Sequence, residues 1–306
     1  MLGSGEHELA FPRKTAGGED DRHERVDVIG SVSFLSVHLL AVLLIFLTGF
    51  SWVAFAACLI FYFVRMFGIT AGYHRYFAHR SFKTSRAFQF ALALLGASSA
   101  QCGPLWWAGH HRYHHRHSDK ETDIHSPKRQ GTWWAHIGWI LCKKYVPTNF
   151  SIIQDFAKYP ELRWINRFHM LPSVVLATCV FSLGELIRYF WPSTCTTGFQ
   201  FLAWGFFVST VLLYHGTFTI NSLAHKFGFA RFQTQDESRN NFWLSLITLG
   251  EGWHNNHHRF PQSERQGFTW WQIDVTHFFL RALAMARLVW DLKTPPREVL
   301  QEGGYV

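Results

Sequence analysis

The chain has 306 residues, 48% hydrophobic and 17% aromatic, but only 16% charged, where an ordinary soluble domain carries about 25%. Lys and Arg outnumber Asp and Glu by 29 to 21, a formal +8, and five scattered cysteines, never spaced as CxxC, exclude a disulfide framework. The charge deficit is concentrated: residues 28–64 and 189–225 contain no Asp, Glu, Lys or Arg, which excludes a soluble domain and points to a membrane protein.

Residues 1–27 are polar, lack an apolar core followed by a small-residue cleavage site, and read as a cytosolic tail rather than a signal peptide. The first uncharged run, as one helix, would span ~55 Å against a hydrocarbon core of ~30 Å. It must fold back, and Thr48-Gly49-Phe50-Ser51-Trp52 is the predicted turn, giving spans over 28–47 and 53–72. Next come Ala87–Ala108 and Trp133–Val146, too short or too interrupted to cross. Like the later stretch Phe268–Trp290, they read as interfacial or amphipathic helices. The second run breaks at Trp191–Gly198, where Pro, Gly and a Ser/Thr cluster fall, giving spans over 168–190 and 199–224. Glu185 and Arg188, three apart on one helical face, are expected to pair. Neither short turn holds Lys or Arg, whereas the tail, Arg75–Arg167 and everything after Lys226 are rich in both. The positive-inside rule therefore puts both termini and the middle segment in the cytoplasm. The predicted fold is an all-α membrane protein: four transmembrane helices as two hairpins in a domain over 28–292, with a cytosolic helical cap (73–167 and 225–292) and a tail over 293–306.

Nineteen histidines need a chemical explanation. Four groups stand out: His74-Arg75-Tyr76-Phe77-Ala78-His79, an HxxxxH; His111-Arg112-Tyr113-His114-His115, an HxxHH; Asn221-Ser222-Leu223-Ala224-His225; and His254-Asn255-Asn256-His257-His258, a second HxxHH. Positions i, i+3 and i+4 share one helical face, so each HxxHH presents three imidazoles to one side, as do Asn221 and His225. The HxxxxH pair would lie ~140° apart on a regular helix, so one of the two is expected beyond a helix end. Together the groups offer His74, His79, His111, His114, His115, His225, His254, His257 and His258, with Asn221, about enough for two metal ions. The hairpin between the second and third groups returns the chain to the same membrane face, so all four can share one cytoplasmic site. Of the remaining histidines, His110, His117 and His125 are candidates to support the ligands, and His7, His23, His38, His136, His169, His215 and His277 read as ordinary residues. Among metals suited to imidazole, iron is expected, because an aliphatic C–H bond yields only to activated O₂ and zinc has no redox chemistry.

The four groups and their flanks, among them Gly68-Ile69-Thr70-Ala71-Gly72-Tyr73-His74-Arg75, His136-Ile137-Gly138-Trp139 and Gly250-Glu251-Gly252-Trp253-His254, resemble the histidine boxes of integral-membrane fatty acyl desaturases of the stearoyl-CoA desaturase type. The resemblance covers roughly residues 28–292. It implies two iron ions on the nine histidines, with Asn221 holding a metal through water, and O₂ and two electrons used to insert a cis double bond, commonly at Δ9, into a long-chain acyl-CoA or acyl-lipid. It also implies an acyl tunnel ending near Tyr62 and Met66, with Phe218 on its wall. Asp119, Asp123 and Glu251, beside the boxes, are expected to accept hydrogen bonds from ligand imidazoles. Two departures stand out: His110 replaces the Asp of the animal enzymes, and no His-Pro-Gly-Gly haem motif follows His258. Electrons are therefore expected from a separate donor, a cytochrome b5, ferredoxin or rubredoxin with its reductase. Arg75, Arg80, Lys83, Arg86, Arg112, Lys128, Arg129, Lys143 and Lys144 are expected to face the cytoplasm, toward anionic headgroups, CoA phosphates or an acidic donor. The rival readings are a related di-iron hydroxylase of lipids or alkanes and a non-enzymatic metal transporter or histidine-based pH sensor, a transport site being expected within the spans; no nucleic acid is expected as partner.

Overall fold

The computed structural model describes residues 26–28 and 31–306, so nearly all of the expected N-terminal tail, with His7 and His23, lies outside the described residues. Helix α1 (Val32–Thr48) is apolar all round and ends at Gly49, whose φ of 72° breaks the helix where the sequence predicts the turn. Helix α2 (Trp52–Ala78) starts at Ser51, whose hydroxyl accepts the Ala54 N–H. Ser51 also bonds Thr196 Oγ1 at 2.7 Å, and Gln200 donates to the Thr48 carbonyl at 3.0 Å, so the two hairpin turns are fastened together at one end of the bundle.

Between them the chain turns through the segment expected as one interfacial helix, Ala87–Ala108. It is two helices instead: α3 (Arg86–Ala97), capped by Ser85, and α4 (Pro104–His117), with Pro at its first position. The break is backbone-made, since Ala100 and Cys102 take φ of 56° and 64°, and their carbonyls receive the hydroxyls of Tyr214 and Tyr73. Trp133–Val146 is likewise no single helix. A wide turn over 134–138 and a tight one over 143–145 replace it, and the Trp134 indole is tied to the Ile124 carbonyl at 3.1 Å.

Helix α5 (Leu171–Phe190) and helix α6 (Gly198–His225) form the second hairpin. A capping box between Thr197 and Gln200 opens α6, and Glu185 both accepts the Gly198 N–H at 2.7 Å and lies 3.4 Å from Arg188, the pairing expected from their spacing. Helices α2, α5 and α6 are long and apolar enough to cross a membrane; α1, with 17 residues, is shorter, yet Leu39, Phe46 and Leu47 on it stay exposed. The protein is thus a mostly helical membrane protein. The rest of the chain builds a cap from α7 (Phe242–Ile247), α8 (His254–Arg259) and α9 (Val275–Met285), the last capped by Asp274. After α9 the pair Val289–Trp290 (β2) adds antiparallel to Lys83–Thr84 (β1), so only the middle of Phe268–Trp290 is helical.

Candidate metal centre

The end of α2 solves the HxxxxH problem by changing pitch. From Gly68 the helix widens to i+5 hydrogen bonding, and the His79 N–H, first beyond the helix, donates to the His74 carbonyl at 3.1 Å. Residues five apart then share a face, and the two rings sit 4.8 Å apart. Opposite them, α4 carries His111, His114 and His115; His225 ends α6; and α8 carries His254, His257 and His258. The two asparagines inside the last box hold α8 in place. Asn255 Oδ1 accepts the N–H groups of Arg231 and Phe232 at 2.7 Å, and Asn256 donates to the Gln266 carbonyl at 2.9 Å.

The nine histidines converge as two groups. In the first, His74, His79, His111, His115 and His257 place their ring nitrogens within 4.8 Å of one another, with Nε2 to Nε2 distances of 3.0 Å (His74 to His257), 2.9 Å (His79 to His111), 3.0 Å (His111 to His115) and 2.9 Å (His115 to His257). In the second, His114, His225 and His258 converge in the same way, and His254 joins through His225 at 3.1 Å. Each HxxHH is therefore divided: His111 and His115 face one group and His114 the other, while His257 faces one and His254 and His258 the other.

This donor set fits a metal. Nitrogens bound at ~2.1 Å at right angles about one ion lie ~3.0 Å apart. The buried Nε2 atoms of His114 and His258 have no hydrogen-bond partner, an arrangement that costs about 1–3 kcal/mol unless something else occupies the nitrogen. Burial, and then repulsion among neighbouring rings, holds His79, His111, His115, His254 and His257 well below the usual histidine range, so these are neutral imidazoles, the form that ligates.

The nitrogens that face away are held by carboxylates. His114 Nδ1 meets Asp123 at 2.9 Å, His225 Nδ1 meets Asp119 at 3.4 Å, and His74 Nδ1 meets Glu251, the three acids singled out in the sequence. Burial would raise the Asp119 carboxyl, but hydrogen bonds from His225, Ser126 and the Glu237 N–H outweigh it and hold it at about 2. A fourth acid escaped sequence reasoning: Asp236, 2.7 Å from His258 Nδ1. Burial opposes its ionisation, but the His258 ring and Ser238 hold it far below the usual carboxylate range. Its one sequence signal is its place in a polar loop between the last two boxes. Gln266, which bridges His74 and Glu251, was missed as well. Of the candidate supporters, His125 stacks on His114 at 4.2 Å, whereas His110 and His117 bond backbone carbonyls on their own helix.

Of the basic residues expected at the surface, Arg75 is internal and Arg112 is half-buried. Arg75 is 1% exposed and clasped by Glu251 and Asp274, both at 3.0 Å, and Arg112 pairs with Asp155 at 2.9 Å while donating to the carbonyls of Phe77 and Ala78. The physical reason is that both acids behind α2 and the helix end itself need a cation, and Arg75 is the one the turn presents.

Two apolar cavities reach the histidines. The larger is lined by Phe34, Trp106, Tyr214 and Phe218 among others; the smaller by Met66, Ile69, Ile220 and His74. Trp107, His111, Thr217 and Asn221 line both. Tyr62 lies behind Met66: a Cβ on Gly216 would come 3.1 Å from Met66 Cε and 2.7 Å from Tyr62 Oη, whose hydroxyl donates to the Ile247 carbonyl at 2.6 Å.

A helical membrane protein that buries two imidazole clusters, one of them bordering the meeting point of two apolar cavities, has the form of a metal-dependent oxidoreductase of lipid-like substrates. The fatty acid desaturase family model matches residues 50–290, and the chain belongs to that family. It is 38% identical over 279 residues to delta-9 acyl-lipid desaturase 2 of Arabidopsis thaliana (90% of this chain, 86% of the relative). It is 36% identical over 272 residues to an sn-1 stearoyl-lipid 9-desaturase of Synechocystis (87% and 80%), and 34% identical over 294 residues to the icosanoyl-CoA 5-desaturase of Limnanthes douglasii (94% and 78%). The protein is a desaturase by family and an oxidoreductase by class.

Proposed function

We propose that this chain is a di-iron, O₂-dependent desaturase that introduces a cis double bond at Δ9 of a long-chain saturated acyl-lipid or acyl-CoA. The observation that carries the reading is the junction of the two apolar cavities at His111 and Asn221, where His111 and His74 of the first imidazole group form part of the lining. An extended acyl chain lying through both cavities would pass its middle carbons beside the metal site. His74, His79, His111, His115 and His257 would hold one iron, and His114, His225, His254 and His258 the other, with Asn221 reaching a metal through water. Bound iron supplies the O₂ chemistry needed to break unactivated C–H bonds. The chain's own residues do the rest. Trp107, stacked on His111 at 5.0 Å, forms the wall that both cavities share, and the carboxylates of Asp119, Asp123, Asp236 and Glu251 fix the ring tautomers. Met66, with Tyr62 behind it, closes the smaller cavity, and Phe218 lines the larger.

In the same reading α1, α2, α5 and α6 are four spans, and residues 28–292 are one domain between two tails. Both termini and the cap face the cytoplasm, where a separate cytochrome b5, ferredoxin or rubredoxin delivers electrons. The excess of Lys and Arg in the cap supports that orientation. The test is expression in a desaturase-deficient yeast or bacterium, with the double bond located by mass spectrometry in lipid and CoA fractions separately. A Δ9 cis-alkene is expected, and none from His257→Ala. An alcohol in its place, or full activity in His257→Ala, overturns the reading.

A further inference from the structure

Helix α2 serves as a ruler for the depth of the cap. It starts at Trp52, an exposed aromatic of the kind that sits at a membrane surface, and rises ~1.5 Å per residue, so Tyr62 lies ~15 Å and Phe67 ~22 Å along it. A hydrocarbon core is ~30 Å thick, and that depth runs out close to His74, where the metal centre begins. Cap residues that touch α2 between Tyr62 and Phe67 are therefore level with lipid tails, below the metal centre.

Two cap helices make that contact. The Tyr62 hydroxyl donates to the carbonyl of Ile247, the last residue of α7, at 2.6 Å. A six-residue helix leaves its final carbonyls without partners of its own, and hydrocarbon offers no water to replace them, so a phenol from the span fills that role. The Phe67 ring meets Phe279 of α9 edge to face at 5.6 Å, and one turn further on Thr70 shares a hydrogen bond with Thr276 at 2.8 Å.

The surface of these helices agrees with their depth. Thr276 and Leu280 turn the inner side of α9 toward the protein, while Phe278, Phe279 and Met285 are exposed on its outer side, as are Trp243 and Ile247 on α7. A helix apolar on both sides belongs in lipid rather than water, and its exposed cations, Arg281 and Arg287, have stems long enough to carry their charge to headgroups. Between α2 and these helices runs a groove with Phe63, Val64 and Phe67 on one side and Leu246, Val275 and Phe279 on the other, and every residue that lines it is apolar. Phe63 and Val64 are themselves exposed, so the groove is continuous with the outer face of the span. It is separate from the smaller cavity: Phe67 and Leu249 line the groove, their chain neighbours Met66 and Thr248 line the cavity, and this single layer of residues divides the two.

We propose that α7 and α9 are sunk into the leaflet on the metal-centre side, and that the groove between them and α2 holds one acyl tail of a bilayer lipid. The occupant is a tail because the groove opens from the span's outer face at a depth where the surrounding medium is itself lipid tails. The inference goes beyond the desaturase reading, since a lipid held there is a resident of the surface and not the substrate in the cavities.

The test uses metal-loaded protein in phosphatidylcholine nanodiscs, carrying a photoreactive benzophenone as Phe279→p-benzoylphenylalanine or, on the exposed cap turn, Glu121→p-benzoylphenylalanine. On illumination the first is expected to attach to tail methylenes of phosphatidylcholine in about tenfold higher yield than the second. Leu246→Trp narrows the groove and should cut that adduct severalfold; Val275→Phe does the same from the other helix should the first variant fold poorly. Independently, trifluoromethyl-phenylalanine at Phe278 should have its fluorine resonance broadened more by a nitroxide within the lipid tail than by one on the headgroup. No lipid adduct at Phe279, adducts confined to headgroups, equal yields at the two positions, or a cross-link to a second copy of the chain overturns the proposal. An undiminished adduct in both narrowed variants, at wild-type thermal midpoint, overturns the groove as the place where the tail lies. None of these readouts involves alkene formation, so failure of the desaturase reading and failure of this one are told apart.

Discussion

Shortening Met66 should lengthen the acyl chain that the enzyme prefers. Met66 is 1% exposed and lines the smaller cavity beside Ile69, Ile220 and His74, with Tyr62 and Gly216 behind it. Met66→Ala removes three side-chain heavy atoms from the closed end, room for two to three methylenes. Each methylene that moves from water into that space is worth about 0.8 kcal/mol. Two more carbons therefore favour the longer chain by about 1.6 kcal/mol, roughly a 15-fold change in the ratio of C20 to C18 desaturation. The assay is a competition among C14–C20 saturated substrates, read as product ratios so that expression level cancels. The truncation also costs about 2–5 kcal/mol of stability, visible as a lower thermal midpoint. An unchanged product profile from a variant that retains its metal would refute the idea that the smaller cavity measures chain length.

Other perturbations follow from the same geometry. Asp236→Asn leaves His258 without its anion, and metal affinity at the group of His114, His225, His254 and His258 should fall about 10–100-fold in a metal-content titration. Wild-type affinity would remove Asp236 from the site. Arg75→Met strands Glu251 and Asp274 in the interior and should cost about 3–5 kcal/mol in denaturant unfolding, with a loss under 1 kcal/mol counting against the clasp. In metal-free protein, burial and neighbouring rings depress His79, His111, His115, His254 and His257, so below about pH 6.5 the unfolded chain binds more protons than the folded one. Stability should fall as pH drops from 7.5 to 5.5, partly offset by His114, which burial would lower but Asp123 raises. The depressed carboxyls of Asp119, Asp123 and Asp236 extend the loss below about pH 4. A midpoint that stays level from pH 7.5 to 5.5 would contradict the neutral cluster.

Much of this architecture is legible in the sequence because membrane helices and histidine boxes are local signals. Uncharged runs report on burial in lipid, and i, i+3, i+4 spacing reports on one helical face, so the hairpins and the convergence of nine imidazoles can be read from neighbouring residues. What could not be read depends on distant partners or on backbone shape. Arg75 looks like a topology signal, but the acids that bury it lie 176 and 199 residues away. Asp236 sits in an irregular loop with no periodicity to mark it. The division of Ala87–Ala108 into α3 and α4 turns on left-handed conformations at Ala100 and Cys102, residue types that rarely adopt them; Gly103 and Pro104 mark where α4 starts, but nothing in the residue types marks those two turning positions. The wide turn that aligns His74 with His79 is equally silent, since a change of helical pitch leaves no compositional trace. His38, His136 and His215 read as unrelated residues because no two of them are close in sequence, yet their rings meet through His215.

The division of each HxxHH between the two imidazole groups bears on how the protein matures. Helices α4 and α8 each contribute to both groups, so the two sites cannot be adjusted separately. An ion captured by His111, His115 and His257 fixes the very helices that aim His114, His254 and His258, and the ordering cost of the second capture is largely met by the first. Loading should then be close to all-or-none: at half-saturating metal, the population would consist mainly of empty and doubly filled molecules, with singly filled ones scarce.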